Sequence, residues 1–406
     1  VNLVQDLRRA KKIVSKAIVN RKATSELKKV LAKQPKRVPH SALIGVYFAD
    51  SAVNQYQLRQ WYEPLTELNT DWPVLLITRH PTAALAATRE SNLSVAFVPK
   101  VSDLEKVLDA HPLSIVLYVN QNTRNFQMMR YGNRWHVFIN HGESDKMYMT
   151  SNQYKAYDYA FVAGDAARKR LSLSLWGYNV DERTFAIGRP QADHVVTDAP
   201  YPNDDRMTVL YAPTWEGDRP AAEYGSVASH GVKLAEHLLA STRHRLVYRP
   251  HPRSGVVDEE FGEANRQIID MIARANRADP SAQHIFDTSS TLDWQLSAPD
   301  VAICDVSAMI YDRLAVGKPL LVTRPVSDTA ELDEGGYLAE CEWLDVAGAD
   351  EIIDRLDRVI RNPDALARLS YWSEFHFGDT APGAPTQRFH DAIAVLLKRA
   401  ETEAKA

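Results

Sequence analysis

The stretch RLVYRPHPRSG occupies residues 245–255. Leu246, Val247 and Tyr248 read as a buried β-strand, which stops abruptly at Arg249-Pro250-His251-Pro252. Each proline fixes its own φ and restricts the residue before it, so the loop is stiff. A stiff loop at a strand end is a good mount for a side chain that meets a ligand. It is also an ordinary way to stop a strand. The surrounding chain decides between these readings.

Around this stretch the pattern repeats. MTVLYAPTW (207–215) is a strand, 231–241 a helix, RLVYR a strand and 257–277 a long helix; QHIFD, DVAICD and PLLVTR continue the series. Helices are expected over 307–315 and 349–371, and an amphipathic one from 387 onward. The first half has the same rhythm. ALIGVYFA (42–49), PVLLIT, LSVAFV, LSIVLYV, WHVFIN (135–140) and DYAFVAG (158–164) are strands, and 53–67 looks helical. Short apolar runs alternating with helical patterns imply parallel sheets covered by helices. The polar, proline-bearing TDAPYPNDDR (197–206) separates the two series. The expected fold class is α/β, with two successive Rossmann-like domains facing a cleft. The expected boundaries are 1–37 for a basic helical segment, 38–198 for the first domain, 199–206 for a linker, 207–380 for the second domain and 381–406 for a C-terminal helix that packs back on the first.

Composition narrows the function. A chain of 406 residues suits two domains. Its net charge of −4 is not the footprint of a nucleic-acid binder, so no nucleic-acid partner is expected. Cys304 and Cys341 form no disulfide framework or CxxC pattern, which fits a reducing cytoplasm. No window approaches the ~18 apolar residues of a membrane span. A cytoplasmic protein touching the membrane from that side is expected. Neither half carries GxGxxG or GxxxxGK[ST], which argues against a standard dinucleotide site or P-loop.

Residues 1–37 are dense in Lys and Arg, with only Asp6 and Glu26 acidic. Leu3, Val4, Leu7, Ala10, Ile13, Val14, Ala17 and Ile18 recur at helical spacing, and Arg8, Arg9, Lys12 and Lys16 fall largely off that stripe. A basic amphipathic helix can lie on an anionic membrane surface, here through residues 1–36. It can equally dock on its own protein with a solvated basic face.

In open α/β sheets ligands sit beyond the carboxyl ends of the strands. WHVFIN is followed there by His141, Gly142, Glu143, Ser144, Asp145 and Lys146; MTVLY by APTWEGD; RLVY by RPHPRSG; QHIF by DTSSTLDW; DVAIC by Asp305, Val306, Ser307 and Ala308. Each has a plain reading. His141-Gly142 suits a turn, Trp215 suits a packed loop, Asp305 and Ser307 suit helix caps, and Ser289, Ser290 and Thr291 suit another helix start. Together they suit phosphate chemistry. Helix starts rich in Ser and Thr present free N–H groups. Arg249 and Arg253 can neutralise phosphate oxygens. His141 and His251 can transfer protons or hydrogen bond a phosphate. Trp215 offers a flat surface for a ligand ring. No zinc-site spacing occurs; Glu143 and Asp145 could hold Mg²⁺.

YAPTW, YRPHP and PDVAICDVSAMIYDRLAVGKPLLV (299–322), in this order and spacing, resemble the CDP-glycerol glycerophosphotransferase family, the teichoic-acid primases and polymerases of bacterial walls. Asp305, Val306, Ser307 and Ala308, followed by Asp312 and Lys318-Pro319, stand at its last motif, and His141, Gly142 and Lys146 at its HG loop. The resemblance covers about residues 135–325 and is strongest in the second half. The chain departs from it in HGESDK, which adds two acids, and in Ala308, which lacks a serine hydroxyl.

The resemblance implies a GT-B architecture and transfer of a polyol phosphate, first of all glycerol phosphate, from a CDP-glycerol or other CDP-polyol donor to a lipid-linked polyol-phosphate acceptor. His141 is then the expected general base, assisted by Glu143, and His251 the partner of the donor pyrophosphate. Gly142, Lys146, Thr214, Arg249, Arg253, Ser307 and Ala308 would line the substrates. Ser289, Ser290 and Thr291 would form a second phosphate contact, and Asp305 would position its turn. A nucleotide-sugar glycosyltransferase shares the fold, and a non-catalytic module binding polymer or membrane is the other alternative.

Overall fold

The structure is a computed structural model describing residues 3–33, 41–142, 150–194, 198–217, 223–289, 292–330, 332 and 336–405, with side chains from residue 14. The chain divides into two compact units. The first comprises Val1–Gly142, Lys146–His194 and Ala381–Ala406; the second contains Val195–Thr380.

Among the described residues the first unit holds a seven-stranded parallel sheet. Its strands are β1 (Ile44–Phe48), β2 (Val74–Thr78), β3 (Ser94–Phe97), β4 (Ile115–Tyr118), β5 (Trp135–Phe138), β6 (Tyr159–Val162) and β7 (Thr184–Ala186), in the order β3-β2-β1-β4-β5-β6-β7. Every residue of β1, β2 and β4 is buried, as expected of a parallel sheet covered on both faces. Ile44, Val46 and Phe48 pack on one face, and Tyr47 on the other. The three-residue β7 has too short an apolar run to stand out in the sequence.

The helix Ala384–Glu403 belongs to this unit. Its Phe389, Ile393 and Leu396 enter the same core cluster as Ile44, Val46 and Trp61. Asp193 holds its start, accepting from the N–H of Gly383 at 3.0 Å, the N–H of Thr386 at 2.9 Å and the Thr386 hydroxyl at 2.7 Å. A carboxylate there also meets the positive end of the helix dipole.

The N-terminal helix runs from Leu3 to Lys33. It docks through Ala23, Leu27 and Val30 against Ala84 and Leu85 of the helix Pro81–Glu90 and against Val95 and Phe97 of β3. Burying one such leucine contributes roughly 1.5–3 kcal/mol. Glu26 pairs with Arg89 beside this contact. Of the stripe expected from the sequence, the side chains of Leu3, Val4, Leu7, Ala10 and Ile13 lie outside the described residues, and Val14 and Ile18 are 58% and 51% exposed. The docked face therefore begins further along the helix than that stripe. No helix among the described residues is long and apolar enough to cross a membrane.

Among the described residues the second unit holds a six-stranded parallel sheet. Its strands are β8 (Met207–Ala212), β9 (His244–Tyr248), β10 (Ile285–Phe286), β11 (Val301–Cys304), β12 (Leu320–Thr323) and β13 (Trp343–Leu344), in the order β10-β9-β8-β11-β12-β13. This is the Rossmann order, which reverses direction between β8 and β11. Arg245, at the start of the opening stretch, faces inward. It is 1% exposed and holds Asp204 with both terminal nitrogens, at 3.0 and 2.7 Å.

The helix expected over 349–371 is two helices, Ile352–Arg361 and Pro363–Phe377. Asn362 ends the first. Its side chain accepts from the N–H of Asp364 at 2.9 Å, and Pro363 occupies the opening position of the second helix, where its missing N–H costs nothing.

Candidate active site

The loops after β8, β9, β10 and β11 leave the same edge of the second sheet. Thr214, Trp215, Arg249, His251, Arg253, Ser289, Asp305, Ser307 and Ala308 are all carried there. In sheets of this order ligands bind beyond the carboxyl ends of the strands, beside such a switch in strand order.

Asp305 follows β11 and is fully buried. One carboxylate oxygen accepts from the N–H groups of Thr214 and Ser226, at 2.8 and 3.0 Å; the other accepts from the Thr323 hydroxyl at 2.5 Å. Asp305 thus ties the segments that follow β8 and β11 to the end of β12 and does not face solvent. Burial raises its pKa to about 6, against the opposing pull of these hydrogen bonds. Two residues on, the Ser307 hydroxyl caps the helix Ala308–Ala315, accepting from the N–H of Met309 at 3.3 Å. Ala308 is exposed at the helix start.

Arg249 follows β9. It pairs with Asp287 and donates to the Ser289 hydroxyl at 2.9 Å and the Ser289 carbonyl at 3.1 Å. Asp287 also accepts from the Gln295 amide at 2.7 Å and the Ser289 N–H at 2.9 Å. Burial would raise the Asp287 pKa, but hydrogen bonds from Ser289, Gln295 and Arg249 outweigh it and the pKa is lowered. Ser289 therefore belongs to the Arg249 network. The short helix that follows begins at Trp294. Ser290 and Thr291 lie outside the described residues.

His251 sits exposed between its prolines. Its Nδ1 accepts from the N–H of Arg253 at 3.2 Å. In the neutral ring this places the proton on Nε2, a donor suited to a phosphate oxygen. The Arg253 guanidinium carbon lies 3.7 Å from the Trp215 ring centre, so it covers a face of the ring the sequence offered to a ligand.

His141 and Gly142 belong to the first unit. Asn140, just beyond β5, takes φ 56, a conformation asparagine tolerates. It turns the chain so that His141 Nδ1 donates to the Val119 carbonyl at 3.0 Å. A carbonyl can only accept, so Nδ1 carries the proton and Nε2 is the acceptor nitrogen of the neutral ring. That is the tautomer a general base requires. Tyr56 meets the ring edge-on, with centroids 6.0 Å apart. Glu143, Asp145 and Lys146 lie outside the described residues. Among the described residues no group of three or more His, Cys, Asp or Glu is placed to hold a metal.

Sequence reasoning missed Glu216, Asp287 and Thr323. The first two were visible beside quoted motifs, in APTWEGD and DTSSTLDW. Nothing in the sequence marked the Thr323 hydroxyl as a partner of Asp305.

The family described as CDP-glycerol:poly(glycerophosphate) glycerophosphotransferase matches residues 114–344, more than half of the chain. Comparison with curated proteins gives no match. A structure of the wall teichoic acid polymerase TagF aligns at TM-score 0.56 and 14% identity, covering 98% of this chain and 99% of that one. UDP-GlcNAc 2-epimerase from Neisseria meningitidis, bound to UDP-GlcNAc, aligns at TM-score 0.57 and 14% identity, covering 88% and 99%. A glycosyltransferase from Rickettsia africae aligns at TM-score 0.51 and 10% identity, covering 89% and 100%. At these identities the likeness is one of fold: two parallel α/β units of the GT-B type, as the sequence leads one to expect.

Proposed function

The chain belongs to the CDP-glycerol:poly(glycerophosphate) glycerophosphotransferase family, and from that premise we propose how its residues divide the reaction. The second unit takes the CDP-glycerol donor. The observation that carries this is the loaded edge of its sheet, where the His251 Nε2–H, Arg249, Arg253 and the N–H groups starting the helix Ala308–Ala315 collect beside the switch point. Such groups hold a pyrophosphate and stabilise the charge that grows on it.

The first unit supplies the base. A hydroxyl of the acceptor attacks the phosphorus that bears glycerol, and its proton passes to His141 Nε2. The bond from that phosphorus to the bridging oxygen breaks, and CMP leaves with the electron pair. The His251 Nε2–H hydrogen bonds the pyrophosphate as negative charge builds. The reaction lengthens or starts a poly(glycerophosphate) chain.

The acceptor we propose is lipid-linked, and the enzyme works at the cytoplasmic face of the membrane. The helix Leu3–Lys33 carries ten Lys or Arg against two acids, in a chain whose net charge is −4. Such a segment is attracted to anionic lipid. Val14, Ile18 and Val19, each more than half exposed, supply apolar surface on the same helix.

The test is CMP release from CDP-glycerol, with a short glycerophosphate lipid as acceptor. Acceptor-dependent release is expected in the wild type, with losses of about 10²–10⁴-fold in His141→Ala and in His251→Ala. Release unchanged in both variants would discard this assignment of roles.

A further inference from the structure

The loop that carries His251 is held by the loop after β8. The His251 N–H donates to the Pro213 carbonyl at 3.2 Å. The Trp215 ring lies under Arg253 and 6.4 Å from the His251 ring, the two rings 30° apart. The next residue, Glu216, accepts three backbone hydrogen bonds, from Gly255 at 2.9 Å, Val257 at 2.7 Å and Asp258 at 3.2 Å. These amides lie between His251 and the helix Glu259–Ala278, whose first turn carries a positive dipole end.

A carboxylate that accepts three backbone N–H groups is strongly held. Glu216 fits this. Burial alone would raise its pKa, yet the backbone hydrogen bonds leave it lowered. The loop is also committed to this shape. Gly255 has φ +77, and a Cβ there would lie 2.5 Å from the Gly262 Cα.

We propose that Glu216 is a positioning residue for phosphate transfer, acting through His251. It occupies the anion-receptive amides ahead of the helix Glu259–Ala278, so donor phosphate is left to the helix start at Ser307. By clamping residues 255–258 it also fixes where the His251 Nε2–H points. This rests on the reading that His251 serves the donor.

The test compares CMP release by the wild type, Glu216→Gln, His251→Ala and the double variant. Glutamine keeps the size of Glu216 but turns one acceptor oxygen into a donor facing backbone N–H groups. Glu216→Gln should lower kcat about tenfold to hundredfold, with KM for CDP-glycerol changed far less. It should add no further loss on top of His251→Ala, because the two act through one group. Wild-type kcat in Glu216→Gln, or losses that simply add in the double variant, would overturn the proposal. Wild-type kcat in His251→Ala would instead overturn the reading beneath it. Should Glu216→Gln not fold, hydrogen exchange in the wild type decides. Slow exchange at the Gly255, Val257 and Asp258 amides is expected, and fast exchange at all three would sink the clamp.

Discussion

The backbone N–H of Thr214 reaches the buried carboxylate of Asp305 at 2.8 Å, across the point where the second sheet reverses its strand order. One charge therefore sets the spacing of two loops that carry site residues. Because burial lifts its pKa from 3.8 to about 6, the folded protein binds this proton more tightly than the unfolded chain does. The stabilisation linked to that proton is complete below pH 3.8 and is lost as pH rises through about 6. Its slope is about 1.4 kcal/mol per pH unit. In Asp305→Asn this slope should vanish. Denaturant melts of both proteins at a series of pH values measure it, and a flat difference curve between pH 3.8 and about 6 would contradict the linkage.

Arg249 makes a fork that lysine cannot copy. It spans Asp287, the Ser289 hydroxyl and the Ser289 carbonyl. Arg249→Lys should raise KM for CDP-glycerol about tenfold and cost roughly 1–3 kcal/mol of stability, since polar groups lose partners. Initial rates and urea melts separate the two effects. A stability loss with unchanged KM would make Arg249 a brace for the loop and no donor contact.

Gly255→Ala should be among the most damaging single-methyl additions. It would place a side chain at φ +77 and 2.5 Å from the Gly262 Cα. A loss of about 2 kcal/mol or more is expected, with activity falling alongside. Thermal and urea melts check it.

Removing residues 1–19 should leave the fold intact, because Ala23, Leu27 and Val30 make the helix's contact with the core. The truncated protein should lose flotation with vesicles of anionic lipid while its melting temperature moves by no more than about 2 °C. Full flotation of the truncated protein would remove the membrane role of this segment.

The sequence made the sheets legible because their central strands are continuous apolar runs; Ile44–Phe48 and Val301–Cys304 are buried throughout. It hid β7 and β13, three and two residues long, which owe their state to neighbours rather than to their own pattern. It joined two helices because apolar periodicity continues past Asn362-Pro363, a pair that restarts a helix as readily as it ends one. In the candidate site, histidines and arginines were legible as residues with chemistry at strand ends. The acids that hold them were not. Glu216 meets its backbone partners 39 to 42 residues away, and Asp287 meets Arg249 across a gap of 38 residues.

The helix Ala384–Glu403 completes the core that begins at Ile44. During synthesis Ile44, Val46 and Trp61 leave the ribosome long before Phe389, Ile393 and Leu396 exist. At ~5–20 residues per second the gap of some three hundred residues lasts tens of seconds. Throughout that interval the earliest-made unit lacks the helix that fills part of one face of its sheet, and the unit encoded after it has its whole sequence, through Thr380, before that helix is made. The order of completion is thus the reverse of the order of translation, and the nascent first unit is the form of this protein that most needs a chaperone.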